Sequence, residues 1–207
     1  MIAESVEVRR ARPEDAPHIA RLILLSGEQL LPALFGSGIS KAMDELAAGR
    51  GTLFSHEHAW MAEQEGNVRG MLLGYTGAVK KAQDPLTGFA LFRLLRLDML
   101  RRLGPLLKMQ STIGRIAGDE YYISSVAVAP DHRGRGIGAR LIAQARTEAG
   151  RSGSRSIVLD VETDNPRAQR LYERLGFRVV SETAPVVLGS HAFTMRRMEG
   201  PLQLFSL

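Results

Sequence analysis

The stretch Tyr121-Tyr122-Ile123-Ser124-Ser125-Val126-Ala127-Val128-Ala129-Pro130-Asp131-His132-Arg133-Gly134-Arg135-Gly136-Ile137-Gly138 decides how this chain folds. Tyr121 to Val128 is rich in aromatic and β-branched residues and reads as a strand, which Ala129-Pro130-Asp131-His132 breaks with turn chemistry. Arg133 to Gly138 then runs straight into a helical pattern with Ile137, Leu141, Ile142 and Ala145 on one face and Gly150 as a stop. The first amides of such a helix have no internal partner and sit at the positive end of its dipole, so the loop suits an anion, phosphate above all. Arg133 and Arg135 add charge-assisted donors. The plainer alternative is a glycine-rich turn carrying two solvated arginines.

Working outward, Ser156-Ile157-Val158-Leu159-Asp160-Val161 reads as a buried strand. In Asp164-Asn165-Pro166, either Asp164 or Asn165 can cap a helix whose first position Pro166 fits. Ala168, Leu171, Tyr172 and Leu175 share one face of that helix, Gly176 ends it, and Phe177-Arg178-Val179-Val180 resumes extended structure.

Val126-Ala127-Val128, Arg133 to Gly138, and Asn165 through Leu171-Tyr172-Glu173-Arg174-Leu175-Gly176-Phe177 resemble, in order and spacing, the core of the GNAT superfamily of N-acetyltransferases. The resemblance implies an α/β fold with a mixed, centrally splayed sheet of six or seven strands and helices on both faces. It implies acetyl-CoA as donor with no metal, and an amine on a small molecule, peptide or protein as acceptor. By the same resemblance, the backbone of Val126, Ala127 and Val128 pairs with pantetheine, and Arg133, Gly134, Arg135, Gly136, Ile137 and Gly138 hold pyrophosphate. Asn165 and Ala168 border the pantetheine arm, although capping explains Asn165 equally well.

Tyr172 matches the family tyrosine that protonates the departing thiolate; a buried core tyrosine is the plainer reading. Asp160 and Glu120 rank equally as the general base, and Glu162 reads as a solvated charge. How much a base matters depends on the acceptor. A lysine amine of pKa ~10.4 costs about 4 to 5 kcal/mol to deprotonate at pH 7, an α-amine near ~7.8 only about 1. The rival to catalysis is an acyl-CoA-binding sensor that meets a partner through the basic 93–108 segment.

A chain of 207 residues fits a single domain able to bury a core without disulfides or metal. The absence of cysteine excludes a disulfide framework, a cysteine nucleophile and thiolate ligands, and points to a reducing compartment, the cytoplasm by default. Met1 to Glu7 carries acids where an export signal carries bases, and no apolar run approaches the ~18 residues that cross a bilayer, so a soluble protein is expected. The formal charge of +5 is modest and gathers near the glycine loop and between Arg93 and Lys108, which favours an anionic cofactor over nucleic acid.

Elsewhere, Val6 to Arg10 alternates as a strand, and Arg12-Pro13-Glu14-Asp15 opens a helix burying Ile19, Leu22 and Ile23. Ile39 to Ala48 is a further helix, and the runs around Glu65-Gly66-Asn67 form a hairpin. His56 and His58 have metal-pair spacing but no third ligand nearby, so strand-edge histidines are expected. The segment 80–118 reads as a helical insertion before the central strand, since about 40 residues far exceed an ordinary connection. Within it Phe89 to Leu103 is helix-like, with Phe92, Leu95, Met99 and Leu103 on one side. Its wide apolar surface suits core packing or a homodimer.

Overall fold

The computed structural model describes residues 6–96, 104, 107 and 113–202. In chain order the strands are β1 (Glu7–Arg10), β2 (Ala59–Gln64), β3 (Asn67–Thr76), β4 (Glu120–Val128), β5 (Ser156–Glu162), β6 (Arg178–Glu182), β7 (Val186–Leu188), β8 (His191–Phe193) and β9 (Met195–Gly200). Seven form one mixed sheet in the order β1-β2-β3-β4-β5-β9-β6, in which only β4 and β5 are parallel; β7 and β8 pair as a separate hairpin. The helices are α1 (Ala16–Ser26), α2 (Leu30–Phe35), α3 (Ile39–Ala48), α4 (Gly77–Leu95), α5 (Ile137–Arg151) and α6 (Pro166–Arg174). No helix among the described residues is long and apolar enough to cross a membrane.

The hairpin β2–β3 turns on Glu65 and Gly66, both at positive φ (52° and 71°), a geometry whose twist matches the strands it joins. One sheet face buries Met61, Met71, Leu73 and Ala127 against Ile19, Ile23, Met43 and Leu46 of α1 and α3, with Leu91 and Leu95 of α4. The other buries Leu72, Ile123, Leu159 and Met198 under Ile137, Leu141, Ile142 and Ala145 of α5 and Tyr172 of α6. Helices therefore cover both faces, as the resemblance implied.

Two irregularities in β4 shape what lies between these layers. Leu73 pairs with Ser125 but Gly74 with Ile123, so Ser124 is an extra residue and β4 bulges there. Because side chains alternate along a strand, one extra residue reverses which face the rest point to. Tyr121 and Ile123 pack on the α5 side before the bulge, and Val126 and Val128 pack on it after. Pairing with β5 also stops at Ile123↔Leu159, while β5 continues to Glu162 alongside β9, so the sheet splays open at its centre.

The insertion is helical from Gly77, earlier than the sequence pattern predicts, and continues through Pro85 to Leu95, with Arg96 at φ 43°. Leu91 and Leu95 are its buried apolar residues; Phe92, expected beside Leu95 in the core, is half exposed and Phe89 more so. Met99 and Leu103 lie outside the described residues. The two histidines stand at the edge of β2, in the short helical turn His56–His58 that precedes it. His56 is buried with Nδ1 at 3.0 Å from the Ala47 carbonyl, and His58 Nε2 lies 2.7 Å from Gln83 Oε1.

Candidate functional site

The splay opens into a cleft of about 480 Å³ between the end of β4 and the start of α6. Val126, Ala127 and Val128 form one wall, and from Ser124 onward the β4 edge toward β5 has no strand partner among the described residues. Backbone N–H and C=O groups left this way are a template for an extended ligand with amide groups of its own.

At one end stands the glycine loop. Gly134 and Gly136 have φ of 79° and 80°, the left-handed region that glycine enters without strain, and, their own chain neighbours aside, no atom of the described residues lies within 4 Å of where their side chains would begin. That clear space lies before the first turn of α5, whose orphan amides begin at Ile137. Gly136, Ile137 and Gly138 line the cleft with Arg133 and Gly134; Arg135 is exposed and does not line it. Arg133 turns its Nε back to the Val128 carbonyl at 3.0 Å, tying the loop to the strand it follows.

Asn165 settles the choice of cap for α6: its side chain accepts from the Ala168 N–H at 3.1 Å. This holds Asn165, Ala168, Leu171 and Tyr172 along the opposite wall. Tyr172 is buried, and burial alone pushes its phenol up to about 12, with no charged or hydrogen-bonding neighbour contributing. The phenol is therefore protonated across the neutral range.

Glu120 and Asp160 do not line this cleft. The Asp160 carboxylate accepts from the Gly114 N–H at 2.8 Å and the Tyr122 hydroxyl at 3.0 Å, and its side chain is 3% exposed. Arg197 on β9 joins the two acids, reaching Asp160 at 3.5 Å and Glu120 at 3.3 Å while also donating to the Arg115 carbonyl. Glu162 departs from its sequence reading as a solvated charge: it is half-buried, and burial followed by the neighbouring Asp164 raises its carboxyl.

Leu175, on the expected buried face of α6, also lines the cleft, as do six residues not expected in the site: Leu25 and Ser26 from the end of α1, His132, Ala139 of α5, and Arg167 and Arg174 of α6. His132 Nδ1 is buried with no hydrogen-bond partner among the described residues. Of these six, only His132 carried a local signal, its place beside the glycine loop; the others arrive through packing of α1, α5 and α6.

The cleft's features fit an acyl-CoA: an unpaired strand edge for pantetheine amides, a glycine cradle at a helix start for phosphate, and an orphaned nitrogen beside it. A family model described as the acetyltransferase (GNAT) family matches residues 30–177, more than half of the chain. The N-alpha-acetyltransferase RimI of Mycobacterium tuberculosis is 39% identical over 92 residues, which is 44% of this chain and 56% of that protein, so the chain matches little more than half of that relative's length. Among solved structures, an N-acetyltransferase from Staphylococcus aureus superposes with a TM-score of 0.68 at 21% identity, covering 93% of this chain and 99% of that one. An acetyltransferase from Salmonella typhimurium, solved with its cofactor acetyl-CoA, superposes at 0.57 with 17% identity, covering 98% of this chain and 97% of that one.

Proposed function

Because this chain belongs to the acetyltransferase (GNAT) family, we propose that it transfers the acetyl group of acetyl-CoA to a primary amine of a small molecule, peptide or protein. The observation that carries this reading is the cleft itself: the unpaired end of β4 lies on one wall, Tyr172 on the other, and the glycine cradle at one end. Acetyl-CoA supplies an activated thioester. The chain's own groups do the rest.

The backbone of Val126 to Val128 aligns the pantetheine arm, and the Gly134–Gly138 loop with Arg133 receives the pyrophosphate. Asn165 fixes the start of α6 and so the position of Tyr172. The protonated Tyr172 donates to the sulfur as the carbon–sulfur bond breaks, and recovers a proton from the nitrogen that has been acylated. Water is kept from the thioester by Leu25, Leu171 and Leu175, which line the same space.

Titration calorimetry with acetyl-CoA, followed by free-thiol release with and without a panel of amines, tests the reading. Binding with amine-dependent release supports transfer. Binding without release for any amine favours the sensor alternative, and no binding overturns the assignment of the cleft.

A further inference from the structure

Two separate stretches of chain line both the cleft and a second, smaller cavity. The end of α1 gives Leu25 and Ser26 to the cleft, and the connection that follows gives Gln29 to the small cavity. The turn after β5 gives Asn165 to the cleft and Glu162, Thr163 and Asp164 to the small cavity. His191 and Phe193 of the β7–β8 hairpin close its far side. The cavity measures about 120 Å³, and since one water needs ~10–15 Å³ it has room for a small amine with its first carbons.

The charge around this cavity is unbalanced. Asp164 stands beside Glu162 and adds to the effect of burial in raising its carboxyl, and Asp164, Gln29 and His191 line the cavity with it. The nearby arginines of β9 are engaged elsewhere: Arg196 binds Glu182 and Gln169, and Arg197 binds Asp160 and Glu120. Asp160, two residues earlier on the same side of β5, is occupied by Tyr122 and Gly114. A half-buried carboxylate beside a second acid, facing a cavity without an arginine or lysine in its lining, calls for a cation from outside.

Resting on the acetyl-transfer reading, we propose that Glu162 seats the ammonium of the acceptor in this cavity and takes its proton, releasing a neutral amine to the adjoining cleft. One N–H bond of the ammonium breaks and an O–H bond forms on Glu162. The amine then forms its bond to the acetyl carbon as the bond to sulfur breaks. The second proton of the nitrogen replaces the one Tyr172 gives to sulfur, and Glu162 returns its proton to solvent. A raised carboxyl is better matched to an amine than an ordinary one. Asp164 adds a preference: an alkylammonium or peptide terminus suits the cavity, whereas a free amino acid brings its own carboxylate against two acids.

The test compares wild type with Glu162→Gln, using acetyl-CoA calorimetry and thiol release with n-butylamine and with trifluoroethylamine, which is already neutral at neutral pH. Expected are an acetyl-CoA affinity within twofold of wild type, a rate with n-butylamine at least tenfold lower, and a rate with trifluoroethylamine within threefold. Equal losses for both amines overturn the assignment, because a structural defect does not distinguish them. A wild type that binds acetyl-CoA but acetylates neither amine counts against the transfer reading instead. Carbon NMR titration of the Glu162 carboxyl with saturating n-butylammonium then decides the cavity: a midpoint lowered by half a unit supports it, and an unmoved midpoint overturns it.

Discussion

The Tyr122 hydroxyl donates to Oδ2 of Asp160 across 3.0 Å, and this bond holds the acid in the body of the protein, away from the cleft. With Gly114 and Arg197 also on the carboxylate, Asp160 ties the chain before β4 to β5 and β9. Replacing Asp160 by Asn removes a charge whose partners are positioned for it, and is expected to cost about 2 kcal/mol of stability. Acetyl-CoA affinity should stay within about twofold. Urea midpoints and calorimetry check both; normal stability with lost transfer would return Asp160 to catalysis.

Tyr172→Phe is expected to slow acetyl transfer about 10²-fold while leaving acetyl-CoA affinity intact. Stability should change by less than about 0.5 kcal/mol, because no hydrogen bond of the hydroxyl is lost. An unchanged rate would remove the acid role.

The Tyr172 phenol also sets an alkaline boundary. Burial raises it from 10.0 to about 12, so the folded state keeps a proton that the unfolded chain releases first. Its contribution to stability is complete below pH 10 and is lost as pH rises toward 12. The difference in stability between wild type and Tyr172→Phe, followed by urea melts from pH 8 upward, should change only in that window.

Gly136→Ala forces a side chain into φ 80°, at about 1 to 2 kcal/mol, and places its Cβ in the open cradle. Acetyl-CoA affinity is expected to fall at least tenfold. Gly138→Ala is the contrast: its Cβ meets only the movable end of Leu171, at 3.0 Å, and affinity should fall less than threefold.

His132→Phe removes a buried nitrogen that has no partner among the described residues. Stability should hold or rise by about 1 kcal/mol, since no bond is broken and a desolvation cost is relieved. Acetyl-CoA affinity should drop about tenfold, or about 1.4 kcal/mol, if that nitrogen serves the ligand.

The glycine loop, α5, α6 and their ends were legible because their signals are local. Gly136 precedes a helix whose apolar residues repeat with its turn, and Asn165-Pro166 opens the next. A splayed sheet of six or seven strands followed from the resemblance those segments carry, and the structure has seven. The boundaries of α4 were less legible: Pro85 lies inside the helix, where propensity argues for a break, and packing of Leu91 and Leu95 overrides it.

By itself, then, the sequence determined the glycine loop ahead of a helix, a cap at Asp164 or Asn165 and the buried face bearing Tyr172, since each depends on residues within a few turns of one another. Only the tertiary structure decided where the acids stand. Arg197 lies far along the chain from Glu120 and Asp160, yet the return of β9 beside β5 brings it to both. The bulge at Ser124 chose which side chains of β4 face the cleft, and the hairpin carrying His191 closed the cavity before Glu162. Those outcomes depend on strand register and on contacts between segments distant in sequence, which no local pattern encodes.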